Sequence, residues 1–87
     1  LMKDEIEKIF KKTKIFFKKN GLLLNWNEFE KLEQDQKINT LAMVAPISNE
    51  EKQTVLESIN IDSKTKVLSE IIEFYLHEES VGSVTLQ

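Results

Sequence analysis

The stretch LAMVAPISNEEKQTVLES, residues 41–58, places an almost continuous apolar run directly before the single proline of the chain and a charged segment directly after it. Proline lacks an amide hydrogen, clashes with the preceding helical turn and disfavours helix at the residue before it. A helix containing the apolar run therefore has to end at Ala45. Two residues after Pro46, Ser48 and Glu51 have the spacing of a capping box, which begins a new helix. The stretch predicts two helices joined by a tight corner.

Helical periodicity also governs the chain before this corner. Apolar residues at intervals of three and four predict an amphipathic helix from Lys3 to Asn20, which Gly21 ends by taking a left-handed conformation. A second, short helix is predicted over 26–34. Trp26 in its first turn could serve as a ligand platform, but the neighbouring leucines favour a place in the core. The segment 36–45 is apolar on nearly every side, which predicts a buried central helix.

The helix after the corner, predicted over 49–58, carries a lysine on its apolar side. Periodicity points Lys52 inward, so either its stem covers apolar surface with the ammonium in water, or the ammonium forms a fixed pair with an acid of a neighbouring helix. Gln53 beside it is placed to hydrogen-bond a backbone carbonyl at the corner. Val55, Leu56 and Ile59 are expected on the same inward face as Lys52.

The last helix is predicted to begin at a cap formed by Asp62 or Ser63. Its wide apolar stripe, including Phe74, suggests contact with two neighbours. The tail 80–87 shows no periodicity and is expected to be flexible. Together these patterns predict an all-α fold: one domain over 1–79, built as an irregular bundle of about five helices around the buried central helix.

Composition limits the functional classes. The chain has 87 residues, with 31 % charged and no cysteine, which excludes a disulfide framework and a thiolate metal site and favours the cytoplasm. The first 20 residues contain seven lysines and three acids, whereas the rest contains five lysines and twelve acids. An acidic chain without arginine is not typical of nucleic-acid binding. No apolar run is long enough to span a bilayer, so no membrane role is predicted.

Catalytic patterns are missing from the sequence. It has no glycine-rich phosphate loop, and its single histidine, His77, has no clustered partners. The adjacent Glu50 and Glu51 are explained by the helix dipole and by capping before any acid-base role. We therefore predict no enzyme activity, no cofactor and no metal.

Four segments carry a resemblance to a known family: GLLLNW (21–26), LAMVAP (41–46), EEKQTVLES (50–58) and KTKVLSEIIEFYLHEE (64–79). Together they resemble the C-terminal helical half of the LON substrate-binding domain, the N-terminal domain of Lon-type proteases. The likeness is closest to short bacterial proteins that consist of a LON domain alone. The family pattern of an LA-type helix followed by an (E/D)KQ-x-x-LE segment is matched at Leu41, Pro46, Glu51, Lys52, Gln53, Leu56 and Glu57.

The resemblance implies a non-catalytic module that recognises protein or unfolded polypeptide segments. It covers about residues 3–79 and implies that an N-terminal β-rich half belongs to the parent domain but not to this chain. The alternative is a structural spacer that supports this β-rich half or mediates weak self-association. A recognition module should leave a contiguous apolar patch exposed, whereas a spacer should not.

One residue of the first helix bears on this alternative. Ile15 lies about 180° around the helix from Ile6, among lysines, where the core of this chain cannot reach it. We expect Ile15 to be exposed in the monomer and to pack on the absent β-rich half or on another copy of the chain. An isolated exposed isoleucine is, however, common in monomeric proteins and needs no partner.

Overall fold

Five helices follow one another along the part of the chain that the structure describes. The computed structural model describes the backbone of residues 3–85 and the side chains of residues 4–78. The helices are α1 (Lys3–Lys19), α2 (Trp26–Phe29), α3 (Gln34–Val44), α4 (Asn49–Glu57) and α5 (Ile61–Thr85). The described residues contain no strand. The predicted all-α fold class is confirmed.

The first helix has the predicted amphipathic form and the predicted end. Its inward side is buried at Ile6, Ile9, Phe10, Thr13, Phe16 and Phe17. Gly21 has φ 70°, and its amide donates to the Lys18 carbonyl at 3.1 Å. The Leu22 amide reaches back to the Phe17 carbonyl at 2.9 Å. These two bonds form the Schellman arrangement, which satisfies carbonyls that the helix end would otherwise leave unpaired.

The second helix is shorter than predicted. The Asn25 side chain caps it by accepting from the Glu28 amide at 3.2 Å, but the helix ends at Phe29 instead of continuing over 26–34. The reason is that the next helix, α3, begins within the range predicted for α2. Glu33 caps α3, and the Gln36 side chain accepts from the Glu33 amide at 3.0 Å. Residues after Phe29 therefore turn into the next helix.

The helix at the centre of the bundle is α5, and the predicted centre, segment 36–45, lies at one side. α5 contacts α1, α3 and α4 and contains fully buried Leu68 and Ile72. α3 buries its inward residues Ile38, Leu41 and Ala42. Its other side is open, because Met43 and Val44 are 62 % and 44 % exposed. Apolar character on every side of α3 thus does not mean burial on every side.

Both ends of α5 differ from the expectation. Its first turn is capped by Asn60, whose side chain accepts from the Ser63 amide at 2.9 Å, so neither Asp62 nor Ser63 is the cap. The helix then continues to Thr85, so the backbone over 80–85 is helical. The flexibility expected for the tail 80–87 and the division at residue 79 stay predictions, and residues 86 and 87 lie outside the described residues.

Candidate functional site: the corner between α3 and α4

The predicted corner is present and is built from consecutive residues. α3 ends at Val44, and Ala45 turns to an extended conformation with φ −63° and ψ 143°, as expected before Pro46. The Ile47 amide donates to the Ala45 carbonyl at 2.8 Å across the proline. Ser48 then caps α4. The chain thus ends one helix and begins the next within four residues, 45–48.

The capping box at the start of α4 is complete and extends to a third element. The Ser48 hydroxyl accepts from the Glu51 amide at 3.1 Å, and one Glu51 carboxylate oxygen accepts from the Ser48 amide at 2.9 Å. The same oxygen accepts from the Tyr75 hydroxyl at 2.5 Å. Glu51 therefore connects the corner to α5.

These hydrogen bonds shift two pKa values. Partial burial alone would raise the pKa of Glu51, but the bonds donated by Tyr75 and Ser48 outweigh it and leave that pKa below its ordinary value. The pKa of Tyr75 is raised, mainly because its hydroxyl donates to Glu51 and secondly because of burial. Near neutral pH the pair is a carboxylate that accepts from a neutral phenol.

The inward lysine of α4 forms a second contact across the corner. The Lys52 ammonium donates to the Met43 carbonyl at 2.7 Å. That carbonyl is among the last four of α3, which have no partner within the helix. The partner is thus a backbone carbonyl and not an acid, and the bond is solvent-exposed, so the ammonium also stays in contact with water. The predicted carbonyl bond of Gln53 is wrong, because Gln53 donates to Glu57 at 2.8 Å within α4.

The two leucines of the family pattern lie in different surroundings. Leu41 is completely buried in the core. Leu56 remains 38 % exposed, because Val55 takes the fully buried position of α4. Ile59 lies beyond the end of α4 and is 95 % exposed, so the expected inward stripe does not extend to it.

Trp26 belongs to the core margin, as the neighbouring leucines suggested. Its ring packs against Phe17 and Phe29, with centroids 5.9 and 5.2 Å away, and it is half-buried. The Lys14 ammonium lies 5.1 Å from the ring centroid, which gives a cation–π contact on the outer side. The tryptophan is therefore partly buried against the chain's own residues.

Ile15 is exposed, as predicted from its angular position. It is 51 % exposed on the outer side of α1. One neighbouring lysine, Lys12, forms an ion pair with Glu73 of α5, so the lysine side of α1 is anchored along one edge. The prediction concerning the monomer is confirmed, and packing of Ile15 on a β-rich half or on another copy stays a prediction.

Large apolar residues on the surface were only partly foreseen. Those more than a third exposed are Ile15, Leu22, Leu23, Met43, Val44, Leu56, Ile59 and Phe74. Phe74 was expected to contact a second neighbour, but it is 57 % exposed beside a groove between α4 and α5. Its position at the margin of the apolar stripe was the signal that it could remain outside.

Among the described residues, no three His, Cys, Asp or Glu side chains lie together as metal ligands. None of their helices combines the length and the apolar character required to cross a bilayer. The chain matches no family model, no curated protein and no solved structure. The resemblance to the LON domain therefore stays a prediction.

Proposed function

We propose that this chain is a non-catalytic protein-binding module that resembles the helical half of a LON substrate-binding domain. In this proposal it recognises protein or unfolded polypeptide segments in the bacterial cytoplasm. The observation that carries the proposal is the exposed apolar side chains of α3 and α4, the two helices that the corner joins. Met43, Val44 and Leu56 are 62 %, 44 % and 38 % exposed on two helices that contact each other. Exposed apolar side chains on adjoining elements are typical of protein-binding surfaces.

The corner holds these side chains on a fixed frame. Lys52 connects α4 to the end of α3 through the Met43 carbonyl, and Glu51 connects the start of α4 to Tyr75. Binding to a preformed surface avoids part of the entropy cost of ordering it. The family-pattern residues Glu51 and Lys52 thus support the surface, while Leu56 and Met43 are available to a partner.

The same contacts favour a binding role over catalysis. The Glu51 carboxylate already accepts two hydrogen bonds, and the Lys52 ammonium donates to a backbone carbonyl. A carboxylate and an ammonium with such partners stabilise the fold. We therefore expect purified protein to show no peptidase activity and no nucleotide hydrolysis above a mock-purified control. Turnover abolished by a single substitution in the chain would overturn this expectation.

Binding is tested with a permanently unfolded polypeptide, such as a reduced and carboxymethylated protein that carries a fluorescent label. Anisotropy should rise when the chain is added, and Met43→Glu should weaken binding roughly tenfold. Leu23→Glu is the matched control, because Leu23 is completely exposed in the loop after α1 and belongs to neither of the two helices that the corner joins. It should leave the affinity unchanged. Absence of binding up to about 100 μM, or equal loss in both variants, would refute the proposal.

A second candidate function rests on Ile15. Its exposure on the lysine side of α1 suits a spacer that packs on the β-rich half implied by the resemblance. In that case Ile15→Lys should leave the stability of this chain almost unchanged and destabilise a longer protein that contains both halves. Equal effects in the two proteins would reject the spacer role.

A further inference from the structure

The outer side of α1 forms a continuous basic surface with an apolar centre. We define the lysine face as Lys8, Lys11, Lys12, Ile15, Lys18 and Lys19, which fall within about 120° of one another around the helix. Lys12 is paired with Glu73, but among the described residues the other four lysines have no carboxylate within ion-pair distance. Ile15 lies at the centre of the face and is 51 % exposed.

A second surface has the opposite character. The phenylalanine groove lies between α4 and α5 and is lined by Glu51, Thr54, Val67, Glu70, Ile71 and Phe74. Three of its six lining residues are apolar, its charged side chains are both glutamates, and no lysine lines it. Phe74 is 57 % exposed, and Glu70 is exposed without an ion pair among the described residues.

The two surfaces complement each other in charge and in apolar content. One presents an isoleucine within a ring of lysines, and the other presents a phenylalanine beside glutamates. They do not cover each other within one molecule, because Ile15 and Phe74 are both more than half exposed. We propose that the phenylalanine groove of one copy of this chain receives the lysine face of a second copy.

This contact joins two different surfaces, so it is head-to-tail. Each molecule keeps one free lysine face and one free groove after pairing, and association therefore continues into short open chains instead of stopping at a symmetric dimer. One helix face in one groove buries an area at the low end for specific complexes, which gives a weak association. Because lysine and glutamate provide much of the attraction, added salt should weaken it.

The two proposals can be tested separately, although Glu51 belongs to both the corner and the groove, because Met43 belongs to neither the lysine face nor the groove. Met43→Glu should consequently reduce polypeptide binding and leave self-association unchanged. The two proposals can therefore fail independently.

The test is sedimentation equilibrium of the intact chain and of two variants. Ile15→Glu places a carboxylate at the centre of the lysine face and leaves the groove unchanged. Phe74→Lys places an ammonium at the groove and leaves the lysine face unchanged. Both side chains are exposed, so both variants should retain the helical circular dichroism of the native chain. Charge-matched controls are Leu23→Glu and Ile59→Lys, at loop positions that are 100 % and 95 % exposed.

We expect the average mass of the native chain to rise above 10.2 kDa with concentration at about 50 mM salt and to fall back towards it at about 500 mM. Each variant alone should remain monomeric. Their mixture should form a one-to-one pair, since Phe74→Lys supplies the lysine face and Ile15→Glu supplies the groove. The controls should associate like the native chain.

Three results would overturn the proposal. The first is a native chain that stays monomeric at millimolar concentration in low salt. The second is a mixture of the two variants that does not pair although the native chain associates, which would point to a symmetric contact. The third is a loss of association in the control variants that matches the loss in Ile15→Glu and Phe74→Lys.

Discussion

Removal of one hydroxyl group, Tyr75→Phe, tests the connection between the corner and α5. The substitution deletes the 2.5 Å hydrogen bond to the Glu51 carboxylate. It retains the ring, which packs against Phe16 and Phe74 with centroids 5.4 and 5.9 Å away. Any change in stability can thus be assigned to the hydroxyl and its partner, and not to a cavity.

The expected cost follows from the type of bond and its surroundings. Hydrogen bonds to charged groups contribute about 1.5–3 kcal/mol. Glu51 is only half-buried and keeps the bond from Ser48, and water can replace the lost donor, so we expect a cost just below this range, about 1–1.5 kcal/mol. For a domain of this size that loss lowers the melting temperature by about 5–10 °C.

The effect should depend on pH in a defined direction. Because the pKa of Glu51 is lowered in the folded chain, its ionised form contributes stability above the pKa of the unfolded chain, about 4.5. This contribution is lost as the pH falls through the lower, folded pKa. The difference between the native chain and Tyr75→Phe should therefore be full at pH 7 and shrink below about pH 4.5.

Thermal and urea unfolding, followed by circular dichroism between pH 3 and 7, provide the assay. The control background is Glu51→Ala, in which Tyr75→Phe should cost almost nothing, since the acceptor is gone. A Tyr75→Phe variant as stable as the native chain at pH 7 would refute the reasoning. So would an equal cost in the Glu51→Ala background, because the hydroxyl would then act through another group.

Four further substitutions test other local features by urea unfolding at pH 7. Ser48→Ala should cost about 1 kcal/mol, because it removes the cap of α4; an unchanged midpoint would mean that the cap adds nothing. Lys52→Met keeps the apolar stem and removes the ammonium bond to the Met43 carbonyl at the end of α3, so the free energy of unfolding should fall by about 1 kcal/mol. An unchanged free energy of unfolding would show that water replaces the ammonium at this carbonyl without cost. Gly21→Ala should cost about 1 kcal/mol through the positive φ alone, because the added Cβ has no atom within 4 Å; a stabilised variant would contradict this. Ile15→Lys should stay within about 0.5 kcal/mol of the native chain, and a larger loss would mean that its stem is part of the core.

Features governed by a few neighbouring residues could be predicted from the sequence. The corner at Pro46, the Ser48 cap and the end of α1 at Gly21 all depend on bonds between residues no more than five positions apart. The buried side of α1 was predictable for a related reason, since its angular pattern is regular over 17 residues. Where two local signals competed, prediction failed. Glu33 caps α3, which shortens α2. Asn60 caps α5, where Asp62 or Ser63 was predicted.

The candidate site could be predicted in its position but not in its contacts. The family pattern indicated the segment that contains Lys52, yet not that its partner is the Met43 carbonyl. Glu51 was recognised as a capping residue, whereas its bond to Tyr75 joins residues 24 positions apart. Such pairs depend on how helices are placed in space, and periodicity within one helix carries no information on that placement.

The sequence by itself determined the all-α class, the corner after α3, the stop at Gly21 and the exposure of Ile15, because backbone sterics, capping and helical periodicity act within single turns of the chain. Tertiary structure alone decided that α5 lies at the centre, that one side of α3 stays open at Met43 and Val44, and that Phe74 faces a groove. Burial depends on which elements cover a side chain, and a chain of this length has too few helices to cover every apolar side. The surfaces on which both proposals rest are the apolar sides that remained uncovered.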